Sequence, residues 1–305
     1  MRVKRQSKSA VEKVLRARHM ILDTILQHKE RELAERQAAV PLNVLEKRAE
    51  ATQPPRDFTA ALRQDGIRLI AEIKRASPSK GVFAPDLDPA ALAQTYESGG
   101  ASALSVLTDE RFFQGSLSDL TAARSTVDIP ALRKDFTTNE YHIVEARAAG
   151  ADAVLLIVAA LPQPRLRTLL RCAKEWGMAA IVEVHTAAET EQALAVGAAI
   201  IGINNRNLHT FETSLETTAE LRALISNDRI VVSESGIHTP ADVAQLHGWN
   251  VDAMLIGEAL VTAPDTAAKV ASLVEAARPP RVTSPSSDSP AVIPAKAGIQ
   301  KGHRA

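Results

Sequence analysis

The chain has 305 residues, of which 45% are hydrophobic and 24% charged, a balance typical of a globular protein with an apolar core. It contains no apolar run of about 18 residues, so no membrane span is expected, and its single cysteine, Cys172, excludes an internal disulfide and a cysteine-rich metal site. The net charge of zero divides into +6 over residues 1–19, −9 over 20–278 and +3 over 279–305. So acidic a body is a poor binder of nucleic acid, and a reducing, cytoplasmic location is expected.

The N-terminal segment, residues 1–19, is basic and lacks the apolar stretch that a secretory signal needs. Apolar residues then recur at helical spacing from Ile21 to Arg36, and a second short helix is expected from Val44 to Ala49. We interpret residues 1–19 as a dispensable extension. The two helices that follow are expected to cover one end of the main body.

From residue 69 onward, short apolar segments typical of buried strands alternate with helical segments. Parallel strands need crossover helices, and eight strand–helix units close naturally into a (β/α)8 TIM barrel. The predicted strands are Leu69–Lys74, Ala103–Leu107, Ala131–Lys134, Ala153–Ile157, Ala180–Glu183, Ile200–Asn204, Ile230–Ser233 and Ala253–Ile256. The predicted helices lie near residues 88–98, 117–125, 139–148, 163–175, 186–196, 214–225, 239–246 and 264–277.

A doubly wound open sheet would show the same alternation of strands and helices. The barrel is preferred because polar residues end many of the strands, whereas an open sheet gathers them at one crevice. The barrel domain is predicted to span residues 20–278. Residues 279–305 are rich in proline and serine, offer little to a core, and are predicted to be a disordered tail.

The first predicted strand carries charges on one of its faces. Because side chains alternate along a strand, Ile70, Glu72 and Lys74 share a face. Charged groups in a buried strand are paired or belong to a site. A structural ion pair between Glu72 and Lys74 and a functional pair are therefore both open at this point.

Polar residues recur at the C-terminal strand ends, which face one mouth of a barrel. The set suits proton transfers on a polar substrate and contains no metal-ligand pattern. The alternative is that Lys134 and Glu183 are only buried partners. His185 has no metal-ligand companions and is interpreted as loop packing. The polar residues are Glu72, Lys74, Lys134, Glu183, Asn204, Arg206, Ser233 and Ser235.

Glycines follow the last two predicted strands, in the loops where barrel enzymes commonly hold a phosphate group. Gly236 and Gly257 let backbone amides approach an anion, which would explain anion binding by an acidic body. Either glycine alone would be an ordinary turn residue. Their joint position favours a phosphate site.

Six motifs in this order resemble the indole-3-glycerol-phosphate synthase family over residues 20–278. The resemblance implies a (β/α)8 barrel that needs no cofactor and acts on the phosphosugar 1-(2-carboxyphenylamino)-1-deoxyribulose 5-phosphate. Ring closure, loss of carbon dioxide and loss of water would give indole-3-glycerol phosphate. The motifs are EIKRASPSKG at 72–81, LRKDF at 132–136, EVH at 183–185, GINNRNL at 202–208, SESGI at 233–237 and LIGE at 255–258.

The resemblance also implies roles for individual residues. Lys134 would protonate the carbonyl oxygen during ring closure, and Glu183 would take or return a proton during dehydration. Lys74 would act on anionic groups of the substrate or as a second acid, with Glu72 tuning it. The catalytic set carried over is Glu72, Lys74, Lys134, Glu183, Asn204 and Ser235, and the substrate-binding set is Ser77, Phe136, Leu155, Arg206, Gly236, Gly257 and Glu258.

One position departs from the family pattern, because Glu258 stands where some relatives have serine. A backbone contact to phosphate would survive this change. Two rival interpretations remain open from the sequence: another phosphosugar barrel, such as an isomerase, and a barrel kept as a binding or scaffold subunit. The first would not need both lysines, and the second predicts a broken catalytic set.

Overall fold

The computed structural model describes the backbone of residues 3–207 and 211–279, and the side chains from residue 21 onward with the same gap. Apart from Pro279, the predicted disordered tail lies outside the described residues. The described part folds into a closed barrel of eight parallel strands with helices around it. The predicted TIM barrel is thereby confirmed.

The barrel closes because the first strand pairs on one side with the second and on the other with the last. An open doubly wound sheet would leave that strand an edge. Five strands match the predicted bounds; of the other three, β1 is shifted by one residue, β5 is one residue longer at each end and β7 is one residue longer at its C-terminal end. They are β1 (Arg68–Ile73), β2 (Ala103–Leu107), β3 (Ala131–Lys134), β4 (Ala153–Ile157), β5 (Ala179–Val184), β6 (Ile200–Asn204), β7 (Ile230–Glu234) and β8 (Ala253–Ile256).

Alternate residues of each strand fill the barrel interior, as the two-residue period of a strand requires. The interior holds an apolar cluster that includes Ile70, Leu132, Ile181 and Val232. The residues between them, such as Ala71, pack outward against the helices. Two positions further along β1 and β3 from Ile70 and Leu132, the inward residues become charged. The interior is therefore apolar in the middle of the barrel and polar at its C-terminal mouth.

Thirteen helices surround the barrel within the described residues, and all ten that were predicted are present. Side-chain oxygens of Asp88, Thr186 and Thr239 cap three of them, as their sequences suggested. The helices are α1 (Val3–Ala39), α2 (Leu42–Ala51), α3 (Phe58–Leu62), α4 (Pro89–Ser98), α5 (Glu110–Phe113), α6 (Leu117–Ser125), α7 (Glu140–Ala148), α8 (Gln163–Glu175), α9 (Ala187–Ala195), α10 (Glu216–Arg222), α11 (Pro240–Gly248), α12 (Glu258–Val261) and α13 (Thr266–Ala276).

The first helix is longer than predicted: α1 begins at Val3 rather than near Ile21. It is held to the barrel through α7, where the Tyr141 hydroxyl contacts the carbonyl oxygens of Arg36 and Val40. Leu45 of α2 packs in the same region. Within the described residues, no helix is both long and apolar enough to cross a bilayer.

Candidate active site

A cavity of about 600 Å³ opens at the C-terminal mouth of the barrel. Its walls come from the strand ends and the loops that follow them, where barrel enzymes hold their substrates. The thirteen residues that the family resemblance assigns to catalysis and substrate binding all line this one cavity. They are Glu72, Lys74, Ser77, Lys134, Phe136, Leu155, Glu183, Asn204, Arg206, Ser235, Gly236, Gly257 and Glu258.

The two charged residues of β1 form an ion pair inside the cavity. Lys74 Nζ lies 2.7 Å from Glu72 Oε1, and the Ser105 hydroxyl donates to Glu72 Oε2 at 3.3 Å. Glu72 is 4% exposed. Because Lys74 also lines the open space, the pair can meet a substrate and is not merely a brace within the core.

Lys134 lies between two buried carboxylates. Its Nζ is 2.8 Å from Glu183 Oε2 and 3.1 Å from Glu234 Oε2. Burial alone would lower the pKa of Lys134, but Glu183, Glu234 and Glu72 raise it above its ordinary value. The ammonium is therefore charged at rest and can act as an acid once a substrate oxygen replaces a carboxylate.

The two carboxylates that share Lys134 differ in their proton affinity. Burial would raise the pKa of Glu183, yet Lys134 and His185 hold it well below its ordinary value. Burial raises the pKa of Glu234 to about 7; Lys134 opposes this shift and repulsion from Glu183 adds to it. Two like charges close together favour one protonated and one ionised group. Glu183 therefore stays ionised, while Glu234 can exchange a proton near neutral pH.

Sequence reasoning missed Glu234 and misplaced Ser233. The predicted strand stopped at Ser233 and counted it among the residues facing the mouth. In the structure Ser233 is fully buried on the outer side of the barrel, where it bonds with Asn205 and Thr218. The inward residues of β7 are Ile230, Val232 and Glu234, so strict alternation from Ile230 would have identified the third.

A glycine on the neighbouring strand makes room for Glu234. Gly202 faces the interior, and a β-carbon there would lie 2.2 Å from Glu234 Oε1 and 2.8 Å from Ile181 Cγ2. Oε1 has no hydrogen-bond partner among the described residues, although it is buried. A buried oxygen without a partner agrees with the raised pKa of the Glu234 carboxyl group.

A chain of hydrogen bonds orients the amide at the end of β6. The Ser235 hydroxyl and the Arg206 backbone N–H donate to Asn204 Oδ1, at 2.9 and 3.0 Å. Asn204 Nδ2 then donates to Glu183 Oε1 at 3.3 Å. The guanidinium of Arg206 reaches across the cavity and donates to the Ser79 hydroxyl at 2.8 Å. Ser77, whose hydroxyl is 3.4 Å from that of Ser79, lies in the same β1–α4 loop.

An apolar wall faces these polar groups. Phe136 and Leu155 contribute to it, with the ring of Phe113 at 6.3 Å from that of Phe136. Ile21 and Ile25 of α1 complete it, which sequence reasoning did not predict. Their helical spacing indicated a buried face, but the residues they would cover are far away in the chain.

Lys29 fastens α1 beside the site. It is 1% exposed, and its Nζ lies 2.8 Å from Asp135 Oδ1, 3.1 Å from Asp109 Oδ2 and 3.2 Å from Glu32 Oε1. Asp135 Oδ1 also accepts the backbone N–H of Phe136 at 2.8 Å. Because Asp135 directly follows Lys134, the ion pairs that hold α1 on the barrel also help to fix the position of Lys134.

The two predicted phosphate-loop glycines differ in their surroundings. Gly236 has φ +81°, and a β-carbon there would lie 2.6 Å from Thr213 Cγ2. At Gly257 a β-carbon would lie 2.5 Å from Glu72 Oε1, so this glycine makes space for Glu72 as well as lining the cavity. The acidic group of Glu258 is balanced by Lys80 at 3.1 Å.

Comparisons with known proteins agree with the family resemblance seen in the sequence motifs. The sequence matches the family model described as "Indole-3-glycerol phosphate synthase" over residues 22–273. The indole-3-glycerol phosphate synthase of Roseiflexus castenholzii is 55% identical over 262 residues, covering 83% of this chain and 97% of that protein. Its counterpart from Mycobacterium sp. (strain KMS) is 48% identical over 266 residues, covering 87% and 98%. Thiamine phosphate pyrophosphorylase from Pyrococcus furiosus has a TM-score of 0.53 at 16% identity, over 69% of this chain and 95% of that one, which supports the fold alone.

Proposed function

The chain belongs to the indole-3-glycerol phosphate synthase family, and on that premise we propose how its own residues carry out the reaction. The substrate is 1-(2-carboxyphenylamino)-1-deoxyribulose 5-phosphate, a phosphosugar joined to a carboxylated aromatic ring. The product is indole-3-glycerol phosphate, released with carbon dioxide and water in tryptophan biosynthesis. The observation that carries this assignment is Lys134 held between Glu183 and Glu234 at the base of the cavity.

Ring closure is the step assigned to Lys134. The ring carbon that bears the carboxylate attacks the ketone carbon, and the ketone oxygen needs a proton as the new bond forms. Lys134 is charged at rest and supplies this proton as general acid. Lys74, paired with Glu72, stabilises anionic groups of the substrate or acts as a second acid.

Loss of carbon dioxide is assigned to the residues that bind the carboxylate and the aromatic ring of the substrate. Arg206 is suited to the substrate carboxylate, and the apolar surface of Phe136 and Leu155 to the aromatic ring. A carboxylate aligned across the ring by these contacts leaves as carbon dioxide, and the ring recovers its aromaticity. Ser77, in the loop that Arg206 contacts through Ser79, is assigned to substrate binding.

Dehydration requires one group to protonate the departing hydroxyl and another to take a proton from the new five-membered ring. Glu183, held ionised, is suited to take the ring proton. Glu234, with a pKa near 7, and Lys134 are the groups that can give one. Asn204 and Ser235 keep the Glu183 carboxylate and the intermediate aligned.

The phosphate group is assigned to the loops after β7 and β8, at Gly236, Gly257 and Glu258. At Glu258 the proposed contact to the phosphate is the backbone N–H, since the Glu258 side chain is an acid paired with Lys80. Residues 20–278 are proposed as the complete catalytic unit. The buried Cys172 suits a reducing, cytoplasmic location, which forms part of the same proposal.

The direct test is turnover. Incubation with 1-(2-carboxyphenylamino)-1-deoxyribulose 5-phosphate in a buffer without added metal should produce indole fluorescence and one carbon dioxide per product. Ribose-based phosphosugars without the aromatic group should give no product. A purified, folded protein that leaves the first substrate unchanged would contradict the assignment.

A further inference from the structure

His185 lies immediately after β5 and makes no contribution to the cavity wall. Its side chain is 8% exposed and lies behind Glu183. Nε2 is 3.3 Å from Glu183 Oε1, and Nδ1 is 3.2 Å from Glu189 Oε2. Each ring nitrogen therefore faces a different carboxylate.

This geometry favours a charged ring, in which the contact of Nε2 with Glu183 is an ion pair without a hydrogen bond. A neutral imidazole has one N–H and one lone pair, so either tautomer would turn a lone pair toward a carboxylate oxygen. The imidazolium alone gives a hydrogen to each of the two nitrogens. Burial by itself would lower the pKa of His185, but Glu183 and Glu189 raise it to about 9.

Glu189 is fixed independently of the substrate. Its Oε2 accepts the His185 backbone N–H at 2.8 Å, and its own N–H is capped by the Thr186 hydroxyl at 3.2 Å, in the first turn of α9. Helix α9 thus fixes the position of Glu189, Glu189 fixes the imidazole ring of His185, and that ring contacts Glu183. His185 is anchored at one side and free to act on the catalytic carboxylate at the other.

The Glu183 carboxylate is contacted from two sides. Glu183 has Lys134 from β3 on Oε2, and His185 and the neutral Asn204 from β6 on Oε1. His185 therefore neutralises the carboxylate from the side that substrate does not reach.

We propose that His185 is a positioning residue: as an imidazolium bridging Glu183 and Glu189, it keeps Glu183 ionised and turned so that Oε2 meets Lys134 and the substrate. This role rests on the proposed function of Glu183. His185 itself touches no substrate atom. Its loss should therefore act on the ionisation of Glu183 and on kcat, and leave substrate binding nearly unchanged.

The kinetic test compares His185→Gln and Glu189→Gln with His247→Gln, a matched control remote from the cavity on α11. Removing a cation beside a carboxylate raises the pKa of the carboxylate. The acid limb of the pH profile of kcat should therefore move up by about one pH unit in His185→Gln. Glu183 stays ionised at neutral pH after such a shift, so the loss of its orientation is what should lower kcat there, by about tenfold, with KM within about twofold of the parent. Glu189→Gln should move the limb in the same direction by less, and His247→Gln should not move it.

A second readout does not depend on turnover. In the parent protein, the ring nitrogens of His185 should both be protonated at pH 7.5 by ¹⁵N NMR and titrate near pH 9. Its signal is identified by its loss in His185→Gln, or by its shift in Glu189→Gln if the first variant does not fold. A ring that is neutral at pH 7.5 would overturn the proposal.

Three other results would also overturn it: an acid limb unchanged in His185→Gln, a uniform drop in kcat at every pH with a lower Tm, or a change confined to KM. The first and second results would mean that His185 only packs against its neighbours. The third would mean that it binds the substrate. An inactive parent protein would instead overturn the proposed function, and the role of His185 with it. An active parent with an unchanged limb overturns the role of His185 alone.

Discussion

Gly202 leaves the space that Glu234 occupies, since a β-carbon at Gly202 would lie 2.2 Å from Glu234 Oε1. Two adjacent strands thus cooperate, one by omitting a side chain and the other by inserting a carboxyl group. This relationship brings Glu234 Oε2 to 3.1 Å from Lys134. The position of Glu234 beside Lys134 therefore depends on a glycine in the neighbouring strand.

Gly202→Ala should displace Glu234 from Lys134. The added methyl group also meets Ile181 Cγ2 at 2.8 Å, so we expect about 1–3 kcal/mol of destabilisation from overpacking, together with a lower kcat. Urea unfolding and steady-state kinetics measure the two effects. Gly248→Ala is the matched control, because a β-carbon there has nothing within 4 Å. Unchanged kcat in a stable Gly202→Ala protein would show that Glu234 can leave its position without cost.

Glu234→Gln should reveal a carboxyl group that resists ionisation. The pKa of Glu234 is raised from 4.5 to about 7 by burial, so the folded state binds more protons than the unfolded state between these values. Parent stability therefore falls as pH rises through this window, and the substitution removes that loss. Relative to the parent, the variant should gain stability between pH 5 and pH 8. A relative loss over the same interval would mean that Glu234 is ionised throughout.

The two glycines of the phosphate loops should give different kinetic phenotypes. Gly236→Ala forces φ +81° on a residue with a β-carbon and disturbs only the loop, so KM should rise more than kcat falls. Gly257→Ala places its methyl group 2.5 Å from Glu72 Oε1, so the Glu72–Lys74 pair should shift and both constants should suffer. Inorganic phosphate should inhibit both variants less than the parent. If phosphate inhibits both as it inhibits the parent, the anion binds elsewhere.

Local sequence rules predicted the barrel and most of the site because they act within a few residues. The inward face of Glu72 and Lys74 follows from alternation in one strand, and the glycine loops follow from turn chemistry. Glu234 was missed because a strand end placed one residue early favoured the two serines beside it. The contact of Lys29 with Asp135 spans 106 positions, and helical spacing shows only that a face is buried, not what covers it.

Two truncations should separate the dispensable and the required parts of α1. Removing residues 1–19 should leave kcat, KM and Tm nearly unchanged, since this segment lies outside the family match, which begins at residue 22. Removing residues 1–30 also takes away Lys29, which leaves the buried Asp109 without its cation and Asp135 with Arg133 as its remaining cation, a loss worth about 3–5 kcal/mol. Thermal melts and kinetics report both. A large fall in Tm in the shorter truncation would show that residues 1–19 dock on the barrel.

The acid–base role of Lys134 is the central claim, and the kcat of Lys134→Met with the aromatic phosphosugar substrate tests it most directly. Lys47→Met, an exposed position on α2, is the matched control for the same substitution. General acid catalysis contributes about 10²–10⁴ in rate, so kcat should fall at least a hundredfold while the circular dichroism spectrum stays that of a folded barrel. A folded Lys134→Met protein that keeps more than about a tenth of the parent kcat would contradict the account.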